Sequence, residues 1–355
     1  MVQPEYRVGV ESEPKEGEPR SRSLAFVLSL LAVGMGHAYL GQWRRAALWV
    51  CAPIIVPLAF CAGTILVPLR GAFGALVPVM LVGFGLAWLG AAFDVWLVPR
   101  SQFRWVALWK LPLFWLSCLL FSVTAATASR TFLVQAFKIP SGAMQPTLMI
   151  QDHLFVNMRA FREPPRRGQL AVFTSPEHSD QDFVKRVIGL PGDRLTVQAG
   201  HPTINGWPVP HCHVGQARLP DLEASQREPS EVELEFLGEQ AFLIVSDDSE
   251  PRGVQGPWTV SPNEVFVLGD SRSNSYDSRS WFQARGGGVP FDKLIGQPVC
   301  IWLAFSPDGS VNWSRYGLPL DEPALGDWAP ELAAGLRECL AKRPPRAKTE
   351  PPAPH

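Results

Sequence analysis

The sequence predicts a chain in two parts: N-terminal transmembrane helices, then a mainly antiparallel all-β domain. Three observations carry this expectation. Apolar residues crowd into about 23–128, while most of the charge lies outside that interval. From about Arg130 to Tyr316, short β-rich runs such as LFVNM, LAVF, FLIV and VCIWLAF alternate with clusters of Gly, Pro, Asn and Asp, the texture of antiparallel strands joined by turns. The chain also carries 34 prolines among 355 residues, a level that argues against a helical bundle after the apolar region.

Composition narrows the class further. Charged residues make up 18%, below the roughly 25% of an ordinary soluble domain, and hydrophobic residues reach 46%. The 32 Lys+Arg nearly cancel the 33 Asp+Glu, leaving a net charge of −1, so no basic excess points to nucleic acid. A wholly soluble single domain and a many-helix transporter are both excluded by the asymmetry between the two halves.

Residues 1–22 are polar and rich in Glu and Pro, the composition of a disordered tail. The region 23–128 then holds four apolar stretches, about Leu24–Leu40, Ala46–Leu69, Ala72–Leu97 and Trp105–Ala128. A hydrocarbon core of about 30 Å takes roughly 20 helical residues, which the last three stretches supply, so three to four transmembrane helices are expected. Trp43, Trp49, Trp88, Trp96, Trp105, Trp109 and Trp115 within them suit a membrane interface or a helix bundle. Arg44 and Arg45 follow the first stretch, and Arg100 and Arg104 follow the third. By the positive-inside rule these connections face the cytoplasm, which puts everything after Ala128 on the extracytoplasmic side of a multi-pass inner-membrane protein.

The all-β domain is expected over 129–318, with 199–262 reading as a Pro-rich insertion carrying strands of its own, and 319–355 as a C-terminal tail with a short helix at about 330–341. Of six cysteines, Cys51, Cys61 and Cys118 lie in apolar runs, and Cys212, Cys300 and Cys339 allow at most one pairing. There is no C-x-x-C and no Gly-rich phosphate loop. His211 and His213 would share a strand face, but the spacing places no further ligand. They read as surface loop, and neither a metal nor a cofactor is expected.

One residue can be read for chemistry from its position, although a lysine on a strand is more often solvent-facing than buried. In a strand over Asp182–Gly189, Phe183, Lys185 and Val187 share a face. A lysine flanked by apolar neighbours on a core-facing side is desolvated, which favours its neutral amine, the form a general base requires. The alternative is a solvent-facing charge on an edge strand.

Three blocks then resolve the question. Ile139-Pro140-Ser141-Gly142-Ala143-Met144-Gln145-Pro146-Thr147-Leu148 leads into Asp152-His153-Leu154-Phe155-Val156; Asp182-Phe183-Val184-Lys185-Arg186-Val187-Ile188-Gly189-Leu190-Pro191-Gly192-Asp193 follows; the last is Gly269-Asp270-Ser271-Arg272-Ser273-Asn274-Ser275-Tyr276-Asp277-Ser278-Arg279. In order and content they resemble the type I signal peptidases, membrane-bound Ser/Lys endopeptidases, over about residues 128–310. The resemblance implies an all-β catalytic domain outside the membrane, no cofactor, and preprotein signal peptides and the lipid bilayer as partners. It also implies cleavage after small side chains in an A-x-A pattern. Lys185 is then the general base, Ser278 the residue that orients its amine, and Asp277 and Arg279 braces. Gln169 stands where the family carries Asp. An apolar surface that dips into the bilayer would fall on Phe137, Ile139, Met149 and Ile150.

One departure bears on the chemistry itself. The family's serine directly before the block's Met is the nucleophile, and here that position is Ala143. Alanine has no hydroxyl and forms no acyl-enzyme. Ser141 matches the family's earlier serine, which helps hold the oxyanion. It is the remaining candidate nucleophile, although residues two apart on an extended backbone sit about 6–7 Å apart. Two readings follow: a signal peptidase that uses Ser141, Lys185 and Ser278, or an inactive homologue that binds preproteins or a membrane partner.

Overall fold

The computed structural model describes residues 20–52, 73–104, 106–107, 109–132, 134–220, 229–326, 328–345 and 349–353. Nearly all of the polar N-terminal tail, most of the second apolar stretch and part of the insertion (221–228) lie outside the described residues. The chain divides into two compact units, Met1–Phe60 with Val79–Ala125, and Cys61–Pro78 with Ala126–His355.

In the first unit the first apolar stretch is not one helix. It forms α1 (Arg22–Leu31) and α2 (Met35–Tyr39), broken at Gly34, whose φ of +83° suits glycine. The third and fourth stretches form α3 (Phe73–Leu97) and α4 (Lys110–Phe132), 25 and 23 residues of helical backbone of which 79–97 and 110–125 belong to this unit. Over the residues whose side chains are described, no helix is long and apolar enough to cross a membrane, so the expected transmembrane helices are not established by the structure alone. Asp94 ties this unit together, accepting from Trp49 Nε1 at 2.9 Å and Arg45 Nη1 at 3.1 Å and meeting His37 Nε2 at 2.9 Å.

The second unit is built of antiparallel sheets. The largest contains β1 (Val134–Lys138), β2 (Asp152–Asn157), β3 (Leu170–Thr174), β4 (Asp182–Gly189), β12 (Glu264–Leu268), β13 (Val289–Pro290) and β14 (Leu294–Ala304) in the order β1-β2-β14-β3-β4-β12-β13. A four-stranded sheet places β5 (Arg194–Gln198) between β11 (Val254–Thr259) and β6 (His201–Ile204), with β7 (Trp207–Pro208) at the edge. A three-stranded sheet has β9 (Ser230–Leu237) between β10 (Gln240–Ser246) and β8 (His211–Ala217). His211 and His213 therefore lie on a strand, not in a loop.

Strand alternation sets the packing. On β9, Val232, Leu234 and Phe236 enter a core shared with Leu243 and Val245 of β10, which leaves Glu231, Glu233 and Glu235 on the opposite face. Within 319–355, read from the sequence as a tail, Leu325, Ala329 and Leu332 also enter this core. A helix α5 (Ala333–Ala341) contributes Leu336 and Cys339, and Cys339 is disulfide-bonded to Cys212 of β8. Beyond it, Thr349 is 1% exposed and its carbonyl accepts from Gly238 N–H at 2.7 Å. Hydrophobicity at 332, 336 and 339 falls on one face of a helix, and burial of that face holds the segment on the sheet.

Candidate active site

The three sequence blocks converge. After β1 the chain passes through Ser141 in an extended conformation (φ −133°, ψ 158°) into a single 3₁₀ turn, Gly142–Met144. Met144, Leu148 and Met149 are buried and anchor the segment. Asp152 closes it, accepting from Met149 N–H at 2.8 Å and from Arg315 at 3.0 and 2.6 Å. Asp270 of the third block joins all three: it accepts from Thr147 Oγ1 at 2.6 Å and from the Arg186 guanidinium at 2.7 and 2.6 Å. Ser271 N–H donates to the Ala143 carbonyl at 3.2 Å. A Cβ at Gly269 would lie 2.1 Å from Ser275 Oγ and 2.5 Å from the Ala143 carbonyl oxygen, so only glycine lets the third block approach the turn this closely.

Lys185 stands at the centre of β4, opposite Ala171 of β3, and is 4% exposed. Its neighbours on that face are apolar: Phe183, Val187 and the cluster of Phe173, Val267 and Trp281. Burial pushes its amine down from 10.5 to about 8; the Asp277 carboxylate opposes the shift, and Arg279 adds to it. Burial would raise the Asp277 carboxyl, but the Arg279 charge and hydrogen bonds, the Lys185 charge and the Gly269 N–H hold it below its ordinary value. Arg279 donates to Asp277 at 2.9 and 3.0 Å, to Glu250 at 2.7 Å and to the Arg272 carbonyl at 2.6 Å.

The predicted partners of Lys185 are placed less tightly. Ser278 is fully buried, and its Oγ accepts from Val267 N–H at 3.0 Å. Ser141 is exposed and Ala143 half-buried. Among the described residues neither Ser141 nor Ser278 hydrogen-bonds the Lys185 amine, and catalytic bonds of this kind commonly tighten only when substrate is bound. Ile139 (5% exposed) packs in the core and Met149 (7%) is buried, so they do not form the apolar outer surface expected of them. Gln169 serves a turn, its Oε1 accepting from Arg166 N–H at 2.8 Å.

Several residues at the site escape a sequence reading. Arg186 is 2% exposed with its guanidinium over the Phe242 ring at 4.0 Å. Glu250 reaches Arg279 from the insertion, and Arg315 reaches Asp152 from 163 positions away. The available signal was Arg186 itself, a charge in the middle of an apolar strand, which needs a buried partner.

A family model described as signal peptidase, peptidase S26, matches residues 113–303. The signal peptidase I of Pseudomonas aeruginosa is 33% identical over 215 residues, with 53% of this chain and 72% of that one covered. That of Pseudomonas fluorescens is 32% identical over 213 residues with the same coverage, and that of Leptolyngbya laminosa 34% over 186 residues, covering 50% and 73%. The chain belongs to the signal peptidase S26 family.

Proposed function

We propose that the chain is a Ser/Lys endopeptidase that removes signal peptides from exported preproteins at the outer face of the cytoplasmic membrane. The observation that carries this is Lys185: at 4% exposure, burial brings its amine down from 10.5 to about 8, close enough to neutrality for part of it to serve as a base. A binding surface has no use for a desolvated base. In the proposed reaction Ser141 Oγ attacks the scissile carbonyl while Lys185 takes the hydroxyl proton. The tetrahedral oxyanion is met by N–H groups near 141–143. Lys185 returns the proton to the departing amine, leaving an ester on Ser141 that water hydrolyses with the same base. Ser278 keeps the amine in place.

Three features support the location. α3 exposes Leu81, Val82, Leu86, Phe93 and Leu97, each at least 60% exposed, as suits a helix set in lipid. The Cys212–Cys339 disulfide fits an oxidising compartment. On β2, β14 and the residue that follows it, Phe155 stacks on Trp302 at 5.3 Å and His153 meets Trp302 and Phe305 edge-on, rings of the kind that favour a membrane interface.

One observation favours a second reading, a homologue that binds preproteins without cutting: Ala143 offers no hydroxyl. Cleavage of a model preprotein by purified protein in detergent separates the two, run beside Ser141→Ala, Lys185→Ala and Ala143→Ser. Parent activity abolished by the first two variants supports Ser141 as nucleophile. An inactive parent with an active Ala143→Ser variant establishes the binding homologue.

A further inference from the structure

We propose that His201, His211 and Glu233 form a site for a divalent transition-metal ion of the zinc class, on the face of the three-stranded sheet opposite its core. The site stands apart from the peptidase reading and does not depend on it. His201 opens β6, His211 opens β8, and Glu233 lies in β9. One candidate ligand atom from each lies within 4.8 Å of the others. A tetrahedral centre with bonds of about 2.0–2.1 Å sets its ligands about 3.4 Å apart. His201 Nε2 and Glu233 Oε2, at 3.2 Å, already have that spacing.

The surroundings are those of a built site. A metal-binding imidazole typically presents one nitrogen to the ion and turns the other toward a carboxylate or a backbone carbonyl. His211 Nδ1 lies 3.4 Å from the Val209 carbonyl, which leaves its Nε2 free. His201 Nδ1 faces Glu235 Oε1 at 3.6 Å and is buried without a hydrogen-bond partner among the described residues. Glu235 is itself fixed by Arg272 at 2.8 and 2.5 Å. Imidazole and carboxylate donors with a fourth position open to solvent suit zinc, and imidazoles also suit copper and nickel.

The ion pair of His201 with Glu233 and Glu235 leaves the second imidazole outside it. A charged His201 bridging Glu233 and Glu235 would need no second imidazole, yet His211 stacks on it with ring centroids 4.0 Å apart and planes 12° from parallel. A metal lies in the plane of each ring that binds it, so the stack must open on binding. His211 is exposed, and rotation of its ring, which exchanges the 3.4 Å approach of Nδ1 to the Val209 carbonyl for the ion, meets the requirement without moving the strand. An ion so held would tie β6 to β8 and β9, one ion pair from Arg272, whose Nε donates to Gly269 O at 3.1 Å in the third block.

The test uses the full chain in detergent, without a histidine tag, stripped by chelator and titrated with ZnCl₂ calorimetrically and with CoCl₂ by visible absorption. One equivalent should bind, with the absorption bands of tetrahedral cobalt. His211→Ala and Glu233→Gln should each weaken binding at least ten-fold, while His213→Ala, whose ring meets Glu231 at 3.3 Å, should leave it unchanged. Circular dichroism confirms that each variant is folded; His211 is exposed, so its replacement leaves the fold intact. A parent that binds no more tightly than His211→Ala, or a His213→Ala variant equally weakened, overturns the proposal.

Discussion

Replacing Lys185 by methionine should make the β unit more stable at neutral pH. The amine is ordinary at 10.5 in the unfolded chain and lowered to about 8 by burial in the folded one. Between those values the unfolded state binds the additional proton, so stability of the parent rises with pH across that window. Below about 8 the full penalty for holding a charged amine in the core is present. At 1.36 kcal/mol per pH unit the gap amounts to about 3 kcal/mol. Methionine keeps most of the aliphatic stem and removes the charge, and Asp277 retains Arg279 and the Gly269 N–H as partners. Urea unfolding of parent and variant at a series of pH values provides the assay. The variant should be more stable by about 3 kcal/mol at pH 7, with the difference shrinking above pH 8 and closing near 10.5. Equal stability at pH 7, or a variant weaker at every pH, would refute the claim that burial strains this lysine. The same substitution should abolish cleavage, so stability and activity would move in opposite directions.

Three further outcomes are expected. Arg186→Met or Asp270→Asn alone leaves a charge unpaired in the core, since both side chains are at most 2% exposed; each should cost about 3–5 kcal/mol in unfolding free energy, and a double apolar replacement should recover much of it. Reducing Cys212–Cys339, or replacing both cysteines by serine, frees a closure spanning 127 positions and should lower stability by about 2–5 kcal/mol, with hydrogen exchange of α5 rising first. Gly269→Ala puts a Cβ within 2.5 Å of the Ala143 carbonyl oxygen. Backbone cannot yield as a side-chain tip can, so cleavage by any active form should fall at least ten-fold while the melting temperature drops.

The apolar setting of Lys185 was legible because it is local. The period of two along Asp182–Gly189 put Lys185 among apolar neighbours, and the structure buries it at 4% exposure. The β texture of 130–316 likewise follows from short branched and aromatic runs between turn residues. What escaped reading is long-range. Nothing near Arg186 in sequence announces Asp270, 84 positions away, nor does Glu235 announce Arg272. The apolar stretch at 24–40 looked continuous, yet Gly34 breaks it, because a hydrophobic run records burial and not helix continuity. Ile139 and Met149 were misassigned for a related reason: an apolar residue beside a reactive loop reads the same whether it faces lipid or core.

The absence at Ala143 weighs less on the site than its position suggests. The hydroxyl is gone, but what surrounds it remains assembled: the Ala143 carbonyl is held by Ser271 N–H, Asp270 binds Thr147 and Arg186, and Asp277 is braced by Arg279. Each of these is a buried polar arrangement that costs stability if half-made, and Lys185 in particular is held at an energetic disadvantage. In a purely structural core a methionine or leucine at 185 would serve better. On the proposed reading the chain retains the costly parts of a proton-transferring site and lacks, at position 143, a single oxygen atom. On that same reading the oxygen comes from a hydroxyl two residues earlier, on exposed Ser141 at the entrance to a one-turn bend that begins with glycine.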